Sequence, residues 1–432
     1  MAIVTFTARL PIRAAVVACG LVLLPSSAFG VTAHTLTASV SSGGLQGDAG
    51  SGQGGVVISA DGRFVAFVSD ASNLVAGDTN GVADVFVRDL GSNATTRVST
   101  SSGGAQADDA SSAQGLAISP SGRFVTFTSD ATNLAPGNDD SQCAPEPCPD
   151  VYIRDRRTHT TRMLVPFAGG PMPGRLLVTA GARFYAYDND GLGDVVRCRR
   201  STRRCVVVSV LPPSVVVDEA DANSYLGGIS SRGRFVVFQK IGFNEAPNAT
   251  TMIAGGVFVR DVRAGRTRIV TTHPRDRANG LSPQGRFVLF ASTAGKLVPE
   301  DTNHRRDVFV RDLRTGGTHR ISISSAGRQG DRASVGVGIS IRGHYCLFES
   351  NATDLVRGDR NRMTDLFLRD RLRGRTIRLN ISPSGASANG PARFAALSLD
   401  GRWAAFGSPA SNLVAGDTNG VRDVFVRGPL HR

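Results

Sequence analysis

The chain has 432 residues, of which 41% are hydrophobic, and its formal net charge is +13. This composition allows a large buried core, and length alone would suggest two or three domains. The basic charge could favour anionic partners such as wall polymers, lipids or nucleic acid. Almost all of it comes from arginine, with Lys240 and Lys296 as the only lysines, a bias equally typical of a GC-rich coding sequence. We therefore interpret the charge as a generally basic surface and expect no nucleic-acid partner.

Residues 1–30 have the pattern of a secretory signal peptide. A start containing two arginines precedes an apolar run from Ala14 to Leu24 and a small-residue cleavage site from Ser26 to Gly30. The run is too short to cross a bilayer as a helix. Cys19 could instead accept a lipid anchor, but the apolar run continues beyond it, which favours cleavage. Residues 31–432 are therefore expected to form one exported domain without a transmembrane segment, monomeric and either secreted or periplasmic.

A repeated motif occupies the rest of the chain. Its signature is Arg-Phe-Val-x-Phe or a close variant, and seven copies begin at Arg63, Arg123, Arg183, Arg234, Arg286, His344 and Arg402. In the first copy, extended runs between turn signals cover residues 55–59, 63–69, 84–90 and 95–100. The second run is apolar on both faces, which is typical of a strand covered on both sides. Four strands per copy predict an all-β fold, a seven-bladed β-propeller of four-stranded antiparallel blades.

The two ends of the repeat array complement each other. The last copy ends just after its third strand, whereas Thr35 to Ser41 precedes the first copy and resembles the missing fourth strand. We predict that this N-terminal strand completes the last blade, because closure removes sheet edges that would otherwise be exposed.

The repeat resembles that of TolB-type β-propellers, with a Ser-Pro-Asp-Gly-like turn, an apolar strand and a closing Asp-Val-Phe-Val-Arg-Asp-Leu strand. Residues 119–122, 282–285 and 312–316 carry the resemblance best. It covers the whole chain after the signal and implies the propeller fold, but such propellers serve as binding platforms, periplasmic assembly partners and occasional enzymes. TolB itself joins a six-bladed propeller to an N-terminal domain, so its particular partners are not carried over to a chain with seven copies.

The loop between the second and third strands is the best chemical candidate. In the first copy Asp78, Asn80 and Asp84 place oxygen atoms at positions one, three and seven around a glycine turn, a spacing that suits calcium. Similar spacing gives the other candidate calcium ligands, which are Asp188, Asp190, Asp194, Asp301, Asn303, Asp307, Asp359, Asn361, Asp365, Asp417, Asn419 and Asp423. We call these sets the Asp/Asn loops. None contains the bidentate glutamate of an EF-hand, and Asp and Asn also stabilise turns without a metal, so a turn role is the alternative.

Two close cysteine pairs, Cys143 with Cys148 and Cys198 with Cys205, are typical of local disulfides in an exported protein. A four-thiolate zinc site is the alternative, which both the spacing and the compartment disfavour. Cys346 lies in an apolar strand and is interpreted as a buried hydrophobic residue.

Catalytic signatures are sparse in this sequence. The Arg-Asp dipeptide that closes the third strand, as at Arg88-Asp89, recurs in blade after blade, which favours an inter-strand tie or a turn cap over catalysis. The histidines neither cluster nor recur, and no nucleophile elbow or nucleotide-binding motif is present. Irregular positions are therefore expected to carry specificity. They are the Asp139–Asp150 loop, the arginine-rich Cys198–Cys205 turn and the Phe243–Gly256 loop.

Propeller geometry would place the first and third of these irregular segments around one mouth, together with the Asp/Asn loops, and the cysteine turn on the opposite face. We predict a secreted, non-catalytic binding or scaffold protein that engages a protein or an anionic cell-envelope polymer through this loop-lined mouth. The alternative is a propeller enzyme acting on polysaccharide, a lyase or hydrolase with or without calcium. Such an enzyme would need one blade's carboxylates to be placed unlike those of the others, and the sequence reveals no such pair.

Overall fold

The computed structural model describes residues 33–137, 149–165, 173–189, 193–215, 222–242 and 255–431. Within these ranges there are 28 strands, β1 to β28, and one short 3-10 turn, Ala180–Ala182. The strands form seven antiparallel sheets of four strands each, and Thr32–Arg432 is one compact unit. The predicted all-β, seven-bladed propeller is confirmed.

Each blade is a meander, and we number the blades I to VII along the chain. Blade I contains β2 (Ser51–Ile58), β3 (Phe64–Ser69), β4 (Asp84–Asp89) and β5 (Ala94–Arg97). Blade II contains β6 (Ser111–Ile118), β7 (Phe124–Ser129), β8 (Asp150–Asp155) and β9 (Thr160–Val165). Blade III contains β10 (Pro173–Val178), β11 (Phe184–Asn189), β12 (Asp194–Arg199) and β13 (Arg204–Val207). Blade IV contains β14 (Ala222–Ile229), β15 (Phe235–Gly242), β16 (Gly255–Asp261) and β17 (Arg266–Thr271).

The remaining blades follow the same order. Blade V contains β18 (Arg277–Leu281), β19 (Phe287–Ser292), β20 (Asp307–Asp312) and β21 (Thr318–Arg320). Blade VI contains β22 (Ser334–Ile339), β23 (Tyr345–Ser350), β24 (Asp365–Asp370) and β25 (Arg375–Arg378). Blade VII contains β26 (Arg393–Leu397), β27 (Ala404–Ser408) and β28 (Asp423–Gly428), and its outer strand is β1 (His34–Thr37).

The repeated aromatic residues form the core of each blade and the contacts between blades. Phe67 and Phe86 face each other on neighbouring strands of blade I, fully buried, with ring centroids 6.1 Å apart. Phe64 packs instead under the first turn of blade II, where Gly122 has a φ of 71° and a Cβ would meet the ring. The same glycine-on-ring contact recurs between later blades, so one motif supplies both blade core and blade packing.

The N-terminal strand closes the ring as predicted. β1 pairs antiparallel with β28, from His34 opposite Gly428 to Thr37 opposite Phe425. Ser39 Oγ then donates a hydrogen bond of 2.5 Å to Asp423 Oδ1. The strand ends at Thr37 rather than at Ser41, because the chain turns there toward blade I. Closure therefore depends on four residues and the polar contacts that follow them.

Candidate functional site

Alternate turns of each blade lie on opposite faces of the propeller. Because the four strands are antiparallel, the loop between the second and third strands lies on the same face as the connector to the next blade. We call this the mouth face. The opposite face carries the turns between the first and second strands and between the third and fourth strands, and we call it the turn face.

Connectors on the mouth face clasp the loops of the blades on either side. Asp48 accepts hydrogen bonds from Ser72 N (2.8 Å) and Ser72 Oγ (2.7 Å) in blade I, while Gln46 Nε2 donates to Gly416 O (2.8 Å) in blade VII. Equivalent contacts involve Asp108 in blade II, Asp331 in blade VI and Asn389 in blade VII. Five consecutive blades, V, VI, VII, I and II, are therefore joined by the same device.

The Asp/Asn loop of blade I is folded around an arginine. Arg97 Nη1 lies 2.9 Å from Asp78 Oδ1 and 3.0 Å from Asp84 Oδ2, and these carboxylates are only 4% and 0% exposed. Asn80 Nδ2 donates to Asp84 Oδ2 (3.1 Å) and to Ala107 O (3.0 Å). One guanidinium therefore pairs with two buried carboxylates, and the asparagine joins the loop to the connector.

Blades V and VI repeat this arrangement. Arg320 Nη2 lies 3.3 Å from Asp301 Oδ1, and Arg378 Nη1 lies 3.2 Å from both Asp359 Oδ1 and Asp365 Oδ2. The loop asparagine donates to the second carboxylate in both blades, at Asn303–Asp307 (2.9 Å) and Asn361–Asp365 (3.1 Å). Burial and the neighbouring charge of Asp365 raise the pKa of Asp359 to about 6.

Blade VII has the loop without the arginine. Thr37 lies opposite Phe425 at the register that Arg97 occupies opposite Phe86. Asn419 Nδ2 donates to Asp423 Oδ2 (3.0 Å), and no ion pair to Asp417 or Asp423 is present among the described residues. Burial raises the pKa of both carboxyl groups, and the charge of Asp423 raises that of Asp417 further.

Blade III departs furthest from the loop pattern. Asp188 lies within β11, where it accepts hydrogen bonds from Arg175 N and from Leu226 N (3.2 Å), and Asp194 accepts one from Ser209 Oγ (2.5 Å). Asp190 lies outside the described residues. Across the described ranges no three His, Cys, Asp or Glu side chains are grouped so that they could hold a metal. Calcium binding by the Asp/Asn loops therefore stays a prediction.

A central channel of about 640 Å³ is lined by the inner strands of all seven blades. Each inner strand leaves regular pairing at a bulge, and bulge residues line the channel. Arg175 and Phe394 have the largest side chains among them, and Arg175 is the only charged residue in the described lining. Both lie near the start of an inner strand, which is its mouth-face end.

These two residues have distinctive environments. The Arg175 side chain is exposed within the channel, yet protein surrounds it closely enough that desolvation lowers its pKa, against the opposing charge of Asp188. Phe394 has a φ of 57°, in the left-handed region that disfavours bulky residues. The residue is 39% exposed, and the Arg422 guanidinium lies 5.8 Å from its ring centroid. Backbone strain at an exposed aromatic residue points to a binding role.

One second-strand position beside the bulges varies between blades. Aligned by strand register, it holds Val68, Thr128, Asp188, Gln239, Ala291, Glu349 and Gly407. A polar side chain at this position can bind a bulge. In blade IV, Gln239 Oε1 accepts a hydrogen bond of 3.0 Å from Ala278 N at the bulge of blade V. Burial raises the pKa of Glu349, while Arg393 and the amides of Ala395 and Phe394 oppose that shift.

Sequence inspection missed Arg175, Phe394 and Glu349 because each is unremarkable alone. The signal that could have found them is the comparison of the seven copies position by position. That comparison needs the strand register, since the bulges shift the inner strands relative to one another. The channel residues therefore emerge only once the blades are built.

The Arg-Asp dipeptides have the structural roles predicted for them. Asp89 accepts a two-pronged interaction from Arg63 Nε and Nη2, both at 2.8 Å, and a hydrogen bond from Gly91 N (2.9 Å) that caps the turn. Arg88 Nη1 donates to Thr95 Oγ1 (3.1 Å) on the outer strand. The dipeptide is thus both an inter-strand tie and a turn cap.

The structure describes three of the six cysteines, Cys198, Cys205 and Cys346. Cys198 and Cys205 form the predicted disulfide, which joins β12 to β13 on the turn face. Cys346 is free and fully buried, and burial raises the pKa of its thiol to about 12. Cys143, Cys148 and most of the Asp139–Asp150 and Phe243–Gly256 loops lie outside the described residues, as do residues 1–30, the predicted signal peptide, which include Cys19. The described residues contain no helix long and apolar enough to cross a bilayer.

The fold and its channel define the protein as a closed seven-bladed β-propeller whose first strand completes its last blade. No family model matches the chain, and no curated protein matches it. Solved structures do resemble it. The β-propeller domain of the trilobed protease from Pyrococcus furiosus is 10% identical, with a TM-score of 0.53, over 87% of this chain and 95% of that one. That domain is described as having an open velcro topology, whereas β1 closes the ring here.

Other similar structures belong to larger proteins. A prolyl endopeptidase is 11% identical, with a TM-score of 0.52, over 88% of this chain and 50% of that one. TolB from Acinetobacter baumannii is 12% identical, with a TM-score of 0.40, over 75% of this chain and 62% of that one. The chain thus spans 62% of that TolB and half of the endopeptidase. At these identities the likeness to the protease domain and to the endopeptidase shows the propeller fold alone.

Proposed function

We propose that this is an exported binding protein that holds a cell-envelope partner, a protein or an anionic polymer, at the mouth of its channel. The observation that carries the proposal is the pairing of one cation, Arg175, with one strained and exposed aromatic ring, Phe394, at the mouth-face end of the channel. The Cys198–Cys205 disulfide and the signal-like N-terminus support export.

The chemistry of the two residues suggests what the mouth recognises. An arginine guanidinium binds carboxylate or phosphate groups through two parallel hydrogen bonds. An exposed aromatic ring adds contact with apolar groups or sugar faces. A channel of about 640 Å³ falls within the range of ordinary ligand pockets, so it admits a side chain or a short polymer end rather than a folded domain.

The test is a cross-linked pull-down from the native cell envelope with the mature protein as bait. Arg175→Met removes the charge but keeps the chain length, and Phe394→Gly removes the ring while relieving the positive-φ strain. Leu372→Ser is the matched control, because Leu372 is a 70% exposed apolar residue on the turn face. We expect both mouth variants to lose the captured partner and the control to retain it. Capture of nothing above background, or equal capture by all variants, would overturn the proposal.

The polysaccharide-active alternative is supported by one residue, Glu349. It is a carboxyl group with a raised pKa beside the channel, at a position where most other blades have no acid. Such a group is suited to general-acid catalysis. Glu349→Gln should fold, since blade IV has Gln239 at that position. Release of reducing ends from envelope polysaccharide by the wild type and not by Glu349→Gln would establish the enzyme.

A further inference from the structure

The turn face of blade III reverses a charge pattern that its neighbours share. In blades I, II, IV and V an arginine that precedes the second strand pairs with an aspartate that ends the third strand. The pairs are Arg63–Asp89 (2.8 Å), Arg123–Asp155 (2.6 Å), Arg234–Asp261 (2.7 Å) and Arg286–Asp312 (2.5 Å). In blade III the residue at the aspartate position is Arg199, which lies opposite Phe184 as Asp89 lies opposite Phe64.

A second substitution adds another positive charge. Two residues before Arg199, blade III has Arg197 opposite Ala186, at the register where blade I has Val87 opposite Ala66. The other blades have buried apolar residues there, namely Val87, Ile153, Val259, Val310, Leu368 and Val426. Blade III therefore replaces an acid and an aliphatic side chain by two arginines.

The arginines converge on one aromatic ring. The guanidinium carbons of Arg197, Arg183 and Arg199 lie 3.9, 5.5 and 6.0 Å from the ring centroid of Phe184. Among the described residues none of the three side chains has an ion-pair partner or a hydrogen-bond acceptor. The pKa of Arg197 is lowered by burial and by the charges of Arg199 and Arg183, so three like charges lie close together without a counter-ion.

More arginines lie on the other side of the blade III sheet, toward blade II. A cleft of about 640 Å³ between blades II and III is lined by Arg162, Arg183, Arg200 and Arg203, and no described residue in its lining is acidic. The larger cleft between blades V and VI, of about 830 Å³, also contains arginines, but there Arg286 and Arg320 have carboxylate partners. The cleft between blades II and III shares only Arg183 with the three-arginine cluster, and the adjoining cleft that contains Arg162 and Arg200 also contains Asp155.

The hairpin that carries the cluster is covalently fixed. Cys198 and Cys205 occupy the register of Arg88 and Thr95 in blade I, so a disulfide replaces the usual arginine–threonine hydrogen bond. It clamps the strands that flank Arg199 and the exposed Arg203 and Arg204. A covalently fixed hairpin favours binding, because less backbone freedom is lost when an anion is held.

We infer that Arg183, Arg197 and Arg199 form a binding site for a phosphate group on the turn face. A phosphate dianion would relieve the repulsion between the three guanidinium groups and offers each of them oxygen acceptors in the fork geometry that arginine prefers. The phosphate group could belong to a soluble ligand or to a lipid headgroup. The site lies on the face opposite the channel mouth, so it does not depend on the function proposed above.

The sequence of the other blades supplies the decisive variant. Arg199→Asp restores the pairing seen in blades I, II, IV and V, so it should fold and have a higher melting temperature than the wild type without added anion. Arg328→Asp makes the same charge change at an exposed residue of the connector between blades V and VI and serves as the control. Each protein is melted in phosphate and in chloride buffers of equal ionic strength, because screening alone also affects surface charges.

We expect phosphate to raise the melting temperature of the wild type and of Arg328→Asp, but not that of Arg199→Asp. Ligand binding to the native state alone favours folding by a factor of about eleven at ten times the dissociation constant. Sedimentation with phosphatidylglycerol vesicles, against phosphatidylcholine vesicles, then identifies the source. Binding of the wild type only to the anionic vesicles indicates a lipid headgroup, and binding to neither indicates a soluble phosphate ligand. The absence of a phosphate-dependent shift in the wild type, or an equal shift in Arg199→Asp, would overturn the inference.

Discussion

Replacement of Arg97 by methionine should destabilise the protein through the two carboxylates that it leaves behind. Arg97 Nη1 lies about 3 Å from Asp78 and Asp84, and all three side chains are 10% exposed or less. At an effective dielectric constant of about 20, each contact contributes roughly 5 kcal/mol of attraction, most of which offsets desolvation. Removing one partner of such a buried group costs about 3–5 kcal/mol. We expect about 3 kcal/mol, because Asn80 and Ser99 still donate hydrogen bonds to Asp84.

The matched control is Arg63→Met in the same blade. Arg63 also pairs with a carboxylate, but its side chain is 51% exposed, and Asp89 keeps its hydrogen bond from Gly91 N, so only a small loss is expected. For a domain of about 400 residues, a loss of 3 kcal/mol lowers the melting temperature by roughly 3–4 °C. Scanning calorimetry and urea midpoints would measure the difference between the two variants.

The pH dependence gives a second test of the same reasoning. Burial already raises the pKa of Asp78, and removal of Arg97 raises it further. A carboxyl group whose pKa is raised on folding gains stability as pH falls through that value. The deficit of Arg97→Met relative to the wild type should therefore shrink between pH 7 and pH 5. A deficit that is no larger than that of Arg63→Met, or that does not change with pH, would refute this account.

Three further outcomes are expected. Replacing Cys198 and Cys205 together by serine should cost about 2–3 kcal/mol, because the disulfide closes a short loop of sequence separation 7; an unchanged unfolding midpoint in urea would contradict this. The Arg123 guanidinium lowers the pKa of Asp155 to about 2, so this pair stabilises the fold above about pH 4, and the stability is lost as pH falls toward 2. Arg123→Met should therefore lose less melting temperature than the wild type between pH 4 and pH 2. An equal loss in both proteins would argue against this. Calcium should raise the melting temperature over that in chelator if the Asp/Asn loops bind it, and no shift would remove the calcium prediction.

The strands could be predicted from the sequence because their apolar pattern is local and repeated seven times. The run predicted at 84–90 is observed as the strand Asp84–Asp89, and the run predicted at 63–69 is observed as the strand Phe64–Ser69. The run 95–100 was predicted to be longer than the observed Ala94–Arg97. Ser99 explains the earlier end, because its hydroxyl bonds Asp84 and the chain leaves the sheet there toward the next blade.

The chemistry of the loops could not be predicted in the same way. The spacing of Asp78, Asn80 and Asp84 is visible in the sequence, but Arg97 is 19 residues from Asp78 and reaches it only through the register of two hairpins. The disulfide between Cys198 and Cys205 was predictable because the two cysteines have a sequence separation of only 7, and the structure places them directly opposite on adjacent strands. The channel position of Arg175 was not, since it depends on a bulge at the start of β10.

Three blades lack the arginine–aspartate pair of the turn face, and only in blade III does the change bring like charges together. Blade VI has His344 where an arginine is usual, and Asp370 pairs with Arg373 instead. Blade VII has Gly428 in place of the aspartate, which removes a charge without adding a like one. Blade III alone puts Arg199 beside Arg183. Like charges held together without a partner destabilise a fold, and rules of local consistency are broken most often at functional sites.

The two proposed binding surfaces lie on opposite faces of the propeller, so each should bind its ligand without blocking the other. Arg175 and Phe394 line the mouth-face end of the channel, while Arg197 and Arg199 belong to the third strand near its turn-face end. A partner at the mouth and a phosphate group on blade III can therefore bind at the same time. If the propeller links an envelope partner to a phosphate-bearing surface, phosphate should not displace the partner captured at the mouth. Competition between them would place both ligands at one site and contradict the separation derived from the blade topology.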